Sequence, residues 1–347
     1  MCGIAGIYGT ENFDINQNLK LMLSVATHRG PDDQGIYTEN YFGIGLNRLS
    51  IIDLDTGHQP ISSSDNRFHL VCNGEIYNYI DLKEEILKKG YKFKTKSDVE
   101  VIIPLFLHYG IDGFKKLDGM FAFALVDSKY KKIYLCRDRY GIKPLYYYIR
   151  NDGMIFFASE IKSILKINAD VKKNHEVIYK YLIDGFNDSI YSAWSGIKQL
   201  EPGHYLSICQ NKKINEPYHF DQPIDFYDNE NEAKKDLREA IINDIESQLM
   251  SDVPIGVFLS GGIDSSIILG VVSEILDKKL PSFSIDFNNQ NFSESYKFKK
   301  VAKMFNTEHH VYKVDTNLIE NINDVLMGCD EPFGDMAALP TYLLCLN

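Results

Sequence analysis

Met1-Cys2-Gly3-Ile4-Ala5-Gly6-Ile7-Tyr8 opens the chain. From Gly3 to Tyr8 the stretch is short, apolar and uncharged, the pattern of a buried strand that tethers the N-terminus inside a sheet. Cys2 stands immediately before it. A residue as small as Cys in second position permits removal of the initiator methionine, which leaves a thiol and a free α-amine on one residue. An α-amine titrates near neutrality, at about 7.7 to 8.0, so Cys2 then carries a nucleophile and its own base.

The 347 residues, 44% of them hydrophobic, suffice for a sizeable core and two domains. Acidic and basic side chains interleave to a formal net charge of -11 with no long basic run, which argues against nucleic acid or an anionic membrane as partner. The six cysteines, Cys2, Cys72, Cys136, Cys209, Cys329 and Cys345, form neither a Cys-x-x-Cys pair nor a Cys/His cluster at zinc spacing. A reduced, cytoplasmic protein without a structural metal is expected. The N-terminal apolar run is too short for a signal peptide, and none approaches the roughly 20 residues of a membrane span.

Working outward from the first strand, the pattern predicts a helix over 17–26, a loop at His28-Arg29-Gly30-Pro31-Asp32-Asp33, and strands at 42–49 and 68–72. The second strand leads into Asn73-Gly74-Glu75, where Asn-Gly signals a tight turn. A helix is expected from Asn78, with Leu82 and Ile86 one turn apart. Another is expected from Ser97, where Ser97-Asp98-Val99-Glu100 fits a capping box. Strands follow at 120–126, 132–137, 145–149 and 154–158. Pro217, Pro223 and the acidic run 225–232 mark a boundary, giving domains at 2–218 and 232–347 with a linker at 219–231.

Beyond the linker the rhythm changes. Leu237, Ile241, Ile245 and Leu249 trace one helical face, and strands at 255–259, 282–287 and 309–314 alternate with helices at 265–276, 294–305 and 317–327. This alternation predicts β-α-β units on a parallel sheet. At the end of its first strand stands Ser260-Gly261-Gly262-Ile263-Asp264-Ser265-Ser266. Two glycines, three hydroxyls and a following helix N-terminus make an anion cradle whose natural occupant is phosphate. It is neither a Walker A loop nor a dinucleotide fingerprint.

That heptapeptide resembles the pyrophosphate loop of the ATP pyrophosphatase superfamily. There a strand like Ser282-Phe283-Ser284-Ile285-Asp286-Phe287 lies beside the adenine, and Asp286 replaces a usual glycine. Cys2-Gly3-Ile4, His28 to Asp32, Arg48-Leu49-Ser50-Ile51-Ile52-Asp53, Asn73-Gly74-Glu75-Ile76-Tyr77-Asn78 and Ser97-Asp98 resemble, in order, the class II glutamine amidotransferases. Together the halves are similar to the glutamine-hydrolysing asparagine synthetases. The resemblance implies an α+β N-terminal nucleophile domain, an αββα sandwich, followed by a truncated α/β domain with a parallel sheet of the ATP-pyrophosphatase type.

The resemblance further implies Cys2, Asn73 and Gly74 as catalytic residues, with Arg48, Glu75 and Asp98 binding glutamine. Ser260, Gly261, Gly262, Asp264, Ser265, Ser266 and the backbone of Ile285 would bind ATP, and Asp264 would help hold Mg2+. The residue types suit the ligands. A zwitterionic amino acid wants a bidentate cation for its carboxylate and carboxylates for its ammonium, and a developing oxyanion wants fixed donors. Asp330 to Asp335 with Pro340-Thr341-Tyr342 would shape the acceptor site. Glutamine, aspartate and ATP are the expected ligands, and a homodimer the expected assembly. The family's later acidic loop is missing and the chain stops where a helix should continue, so a fragment with an incomplete synthetase half is expected. Amidation of another carboxylate, and a non-catalytic subunit binding glutamine or nucleotide, are the alternative readings.

Overall fold

The computed structural model describes residues 1–9, 13–209, 212–219, 226–276, 279–288, 293–314, 322–335 and 337–346. The chain divides into two compact units, Met1–Pro223 and Ile224–Asn347.

In the first unit β1 (Gly3–Tyr8) is followed by α1 (Ile15–Ser24), β2 (Asp33–Thr38), β3 (Phe42–Arg48), β4 (Ile61–Ser62) and β5 (Phe68–Ile76). Then come α2 (Tyr79–Leu87), α3 (Ile102–Tyr109), β6 (Gly119–Asp127), β7 (Lys132–Arg137), β8 (Tyr146–Ile149) and β9 (Ile155–Ala158). The unit closes with α4 (Ile161–Leu165), α5 (His175–Asp184), β10 (Ile197–Gln199), β11 (His204–Cys209) and β12 (Lys212–Pro217). The strands form two six-stranded sheets, β10-β8-β9-β1-β3-β2 and β12-β11-β7-β6-β5-β4, with antiparallel pairing throughout.

Three apolar layers show how the sheets stack. Ile4, Tyr8, Ile44 and Leu46 of the first sheet pack with Val71, Ala122 and Leu135 of the second. On the far side of β1, Ala5 and Ile7 meet Leu19 and Met22 of α1. Outside the second sheet, Leu70, Cys72 and Phe123 pack on Ile86 of α2 and Ile102 and Leu105 of α3. The order is helix, sheet, sheet, helix, the αββα sandwich expected from the sequence. β1 reads as a continuous apolar run because both its faces are covered.

Two local expectations are corrected. The Asn73-Gly74 pair does not turn: β5 continues through both residues, pairing Asn73 with Ala122, Gly74 with Phe121 and Glu75 with Met120. Gly74 has φ 154°, and a Cβ there would lie 2.1 Å from Met120 O, so the glycine serves a close strand-to-strand approach. Nor does a capping box form at 97–100. Asp98 makes no side-chain cap, a single 3-10 turn at Val99–Val101 precedes α3, and Glu100 turns back to accept from Lys94 N (2.8 Å), Thr95 N (2.7 Å) and Thr95 Oγ1 (2.7 Å).

The second unit contains α6 (Glu230–Ser247), β13 (Val257–Phe258), α7 (Ile263–Ile275), β14 (Pro281–Phe287), α8 (Ser295–Met304), β15 (Glu308–Val314), α9 (Ile322–Gly328) and α10 (Ala338–Leu346). Its three strands run in the order β13-β14-β15 and pair in parallel, as the β-α-β rhythm predicts. Leu259, Leu269, Val272 and Phe298 form its core, with Ile245 and Leu249 packed against it. The helix expected at 317–327 is described over Ile322–Gly328, the expected residues before it lying outside the described residues. Among the described residues no helix is long and apolar enough to cross a membrane.

Candidate active site

Cys2 sits at the mouth of β1, opposite the end of β3, because Gly3 pairs with Asn47. The Leu49 N–H donates to Cys2 Sγ (3.4 Å), and the thiol faces Leu49 O at 3.6 Å. Arg29 Nε donates to the Cys2 carbonyl (2.9 Å) while its Nη1 pairs with Glu160 Oε1 (3.1 Å). Glu160 also meets His28 Nε2 (3.0 Å) and Lys162 Nζ (3.2 Å). The His28-Arg29 segment therefore anchors the backbone of the candidate nucleophile. Burial pushes the Cys2 thiol up, opposed by the Leu49 N–H and by the positive charges of the chain terminus, Arg48 and Arg29.

Arg48 is buried at the end of β3, and its Nη2 donates to Ile52 O (3.0 Å) and Asp53 O (2.7 Å). Those carbonyls fix the guanidinium in one orientation. Asn73 is 1% exposed, and among the described residues neither its Oδ1 nor its Nδ2 has a hydrogen-bond partner. A buried amide with both ends free is costly unless a ligand completes it. Asp98 is held by the Ile76 N–H, which donates to Oδ2 (2.7 Å). Burial pushes its carboxyl up to about 6, helped by the charge of Glu75 and opposed by the Ile76 bond. Burial also raises Glu75, against the pull of Lys143 and the terminal amine.

These side chains converge. Cys2, Arg48, Asn73, Gly74, Glu75 and Asp98 all line one cavity of about 200 Å³. A cation, two carboxylates, a thiol and an unpaired amide thus surround a space sized for a small amino acid. Met1 lines the same cavity. So do three residues the sequence reading missed, Leu49, Gln59 and Lys143. Gln59 clamps β5 by accepting from Cys72 N (2.7 Å) and donating to Cys72 O (3.3 Å). Only Leu49 had a signal, its place in the Arg48 to Asp53 run. Gln59 and Lys143 reach the cavity through tertiary packing alone.

In the second unit the Ser-Gly-Gly loop joins β13 to α7, with Gly262 as N-cap residue. Ser260 Oγ lies 3.0 Å from Ser265 Oγ and accepts from Gly262 N (3.2 Å), while Ser265 Oγ (3.2 Å) and Ser266 Oγ (2.6 Å) donate to Gly262 O. Gly261 has φ 79°, and a Cβ there would meet Phe298 N at 2.6 Å. The structure brings Ser260, Ser265 and Ile285 together with Pro340 and Thr341 on a cavity of about 340 Å³. Gly261, Gly262 and Ser266 line a different groove, and Asp264 a third cavity beside Asp244 of α6. Asp286 is bonded by Ser293 Oγ (2.7 Å) and does not line the Ile285 cavity.

Residues 1–219 match the family model described as glutamine amidotransferase domain, and residues 236–347 match the model described as asparagine synthase. The chain is 37% identical over 372 residues to putative asparagine synthetase [glutamine-hydrolyzing] 2 of Methanocaldococcus jannaschii, covering 99% of this chain and 70% of that protein. The chain belongs to the glutamine-hydrolysing asparagine synthetase family. Asparagine synthetase [glutamine-hydrolyzing] 1 of Bacillus subtilis is 36% identical over 353 residues, 99% of this chain but 55% of that family member. Amidase chry2 of Gibberella zeae is 31% identical, over 97% of this chain and 54% of its own length. The chain thus spans from about half to 70% of the length of these curated relatives.

Proposed function

We propose that the first unit hydrolyses glutamine at Cys2 and that the ammonia released amidates an ATP-activated carboxylate, aspartate in the first instance. The observation that carries the reading is the single cavity on which Cys2 meets Arg48, Asp98, Glu75 and the doubly unpaired Asn73. Arg48 receives the α-carboxylate of glutamine, and Asp98 and Glu75 receive its ammonium. Cys2 Sγ attacks the side-chain amide carbon, and the oxyanion that forms is stabilised by the Asn73 amide and the Gly74 N–H. Collapse to a thioester expels ammonia, protonated by way of the α-amine, and water then releases glutamate. The α-amine belongs to Cys2 only after Met1 is removed, which also clears Met1 from the cavity wall.

The second unit supports the other half. Ser260, Ser265 and Ile285 share a cavity with Pro340 and Thr341, an arrangement suited to a nucleotide and the acceptor it activates. In this reading aspartate is adenylated with loss of pyrophosphate, and ammonia displaces AMP. Magnesium accompanies the phosphates. Asp264, its expected ligand, lines the cavity beside α6, and among the described residues no cluster of three His, Cys, Asp or Glu could hold a metal. Cytoplasmic location and a homodimer complete the proposal.

The decisive experiment measures glutamate release from glutamine by protein of verified intact mass. Protein lacking Met1 is expected to turn over, and Cys2→Ala and Met1-retaining protein to be inactive. Equal rates in wild type and Cys2→Ala overturn the reading, and glutamine binding without hydrolysis would mark a non-catalytic subunit. A relative named as an amidase leaves room for a second reading, transfer of the ammonia to a different carboxylate, which an acceptor screen distinguishes.

A further inference from the structure

One charge in the glutamine cavity has no part in that chemistry. Lys143 is 5% exposed and lines the cavity, yet its ammonium makes no hydrogen bond or ion pair with any described residue. An ammonium with no close partner in a half-enclosed cavity loses part of its hydration, so it stays only where the backbone holds it there. The segment after β7 supplies that constraint. Asp138 accepts from Tyr140 N, Ile142 N and Lys143 N, each at 3.0 Å, and Arg137 Nε donates to Lys143 O (2.8 Å).

Glu75 reaches the same cavity from β5 and is the strongest opposite charge acting on Lys143. Burial lowers the Lys143 amine and raises the Glu75 carboxyl, and each group opposes the shift of the other. The remaining charges around the pair are the terminal amine ahead of β1, Asp98 before α3, the Cys2 thiol, Arg48 at the end of β3, Arg29 and Asp138. The Glu75 carboxylate likewise has no hydrogen bond or ion pair among the described residues. Two opposite charges thus share one cavity without closing on each other, which leaves the carboxylate free for a ligand.

We propose that Lys143 is a positioning residue of the amidotransferase pocket, its ammonium on the cavity wall it shares with Glu75 keeping that carboxylate anionic and open to the amino group of the incoming amino acid. The inference rests on the glutaminase reading for the identity of that amino acid, and on the cavity itself for the charge pairing.

The test follows Glu75 directly by carbon-13 NMR of glutamate-labelled protein, its carboxyl resonance assigned by its loss in Glu75→Gln. Lys143→Met is expected to move the Glu75 titration upward by about one pH unit, and Lys143→Arg to restore it. An unmoved titration in Lys143→Met overturns the proposal. Should Lys143→Met fail to fold, Glu75→Gln offers the reciprocal test: the Lys143 amine should titrate lower than in wild type, and no change overturns the proposal. In glutamate release, Lys143→Met is expected to raise KM toward about tenfold at acid pH, below the Glu75 titration, with kcat within about threefold, the difference shrinking as pH rises toward neutrality. A fall in kcat with KM unchanged overturns it. A titration shift in Lys143→Met together with a wild type that releases no glutamate discards the glutaminase reading and keeps the charge pairing.

Discussion

Gly74 and Asp98 are the residues whose roles depend most on surroundings far away in the chain. A Cβ at position 74 would sit 2.1 Å from Met120 O on a backbone with φ 154°. Gly74→Ala is therefore expected to destabilise the first unit by about 3 kcal/mol, read as a lower urea midpoint, and to abolish glutaminase activity. Asp98 is pushed up to about 6 from an ordinary 3.8. The folded protein then binds more protons than the unfolded chain between those values, so stability contributed by this group falls as pH rises through that window. Asp98→Asn should flatten that dependence in urea titrations across the window. Glutamine binding has the opposite slope. The ligand ammonium wants Asp98 ionised, so KM should fall as pH rises through about 6 in wild type and stay high and flat in Asp98→Asn.

At the scale of elements, the segment between α2 and α3 shows how a loop aims a functional group. Glu100 is fully buried and gathers three donors from Lys94 and Thr95, which folds the loop back and turns Asp98 toward Ile76 N rather than onto its own helix. Glu100→Ala leaves those donors unpaired and should cost about 3 kcal/mol. It should also raise KM for glutamine more than it lowers kcat, since Asp98 is displaced and Cys2 is not. Steady-state kinetics beside a denaturation curve would check both. The capping pattern at 97–100 located this segment correctly and misread its purpose, because a carboxylate near a helix start can serve the helix or a distant strand and local spacing does not choose.

For the whole molecule, the division of the core is the main fact. All three apolar layers of the sandwich are built from residues between Ile4 and Tyr218, and the separate cluster of the second unit contains none of them. Residues 1–223 are therefore expected to fold alone and to retain glutamate release within about threefold of the full chain. Cooperative unfolding and activity of that fragment would check this. Loss of either would mean that the second unit completes the first.

The sequence by itself determined the parts governed by short-range periodicity and side-chain chemistry. These were the buried first strand, most of the strands and helices up to Ala158, the switch to β-α-β rhythm past the linker, the phosphate-type loop, and the thiol, cation and carboxylates suited to a zwitterionic amide. By contrast, β2, β4 and the elements from α4 to β12 were not read. Tertiary structure decided what depends on partners distant in the chain. Cys2 Sγ is bonded across 47 residues by Leu49. Gly74 is required by the approach of β6 rather than by a turn, and Asp264 faces α6 rather than the Ser260 cavity. Lys143 enters the pocket without any pattern of its own. The physical reason is common to all four: local propensity reports how the backbone runs, whereas the burial and charge that give a side chain its function come from neighbours that only packing supplies.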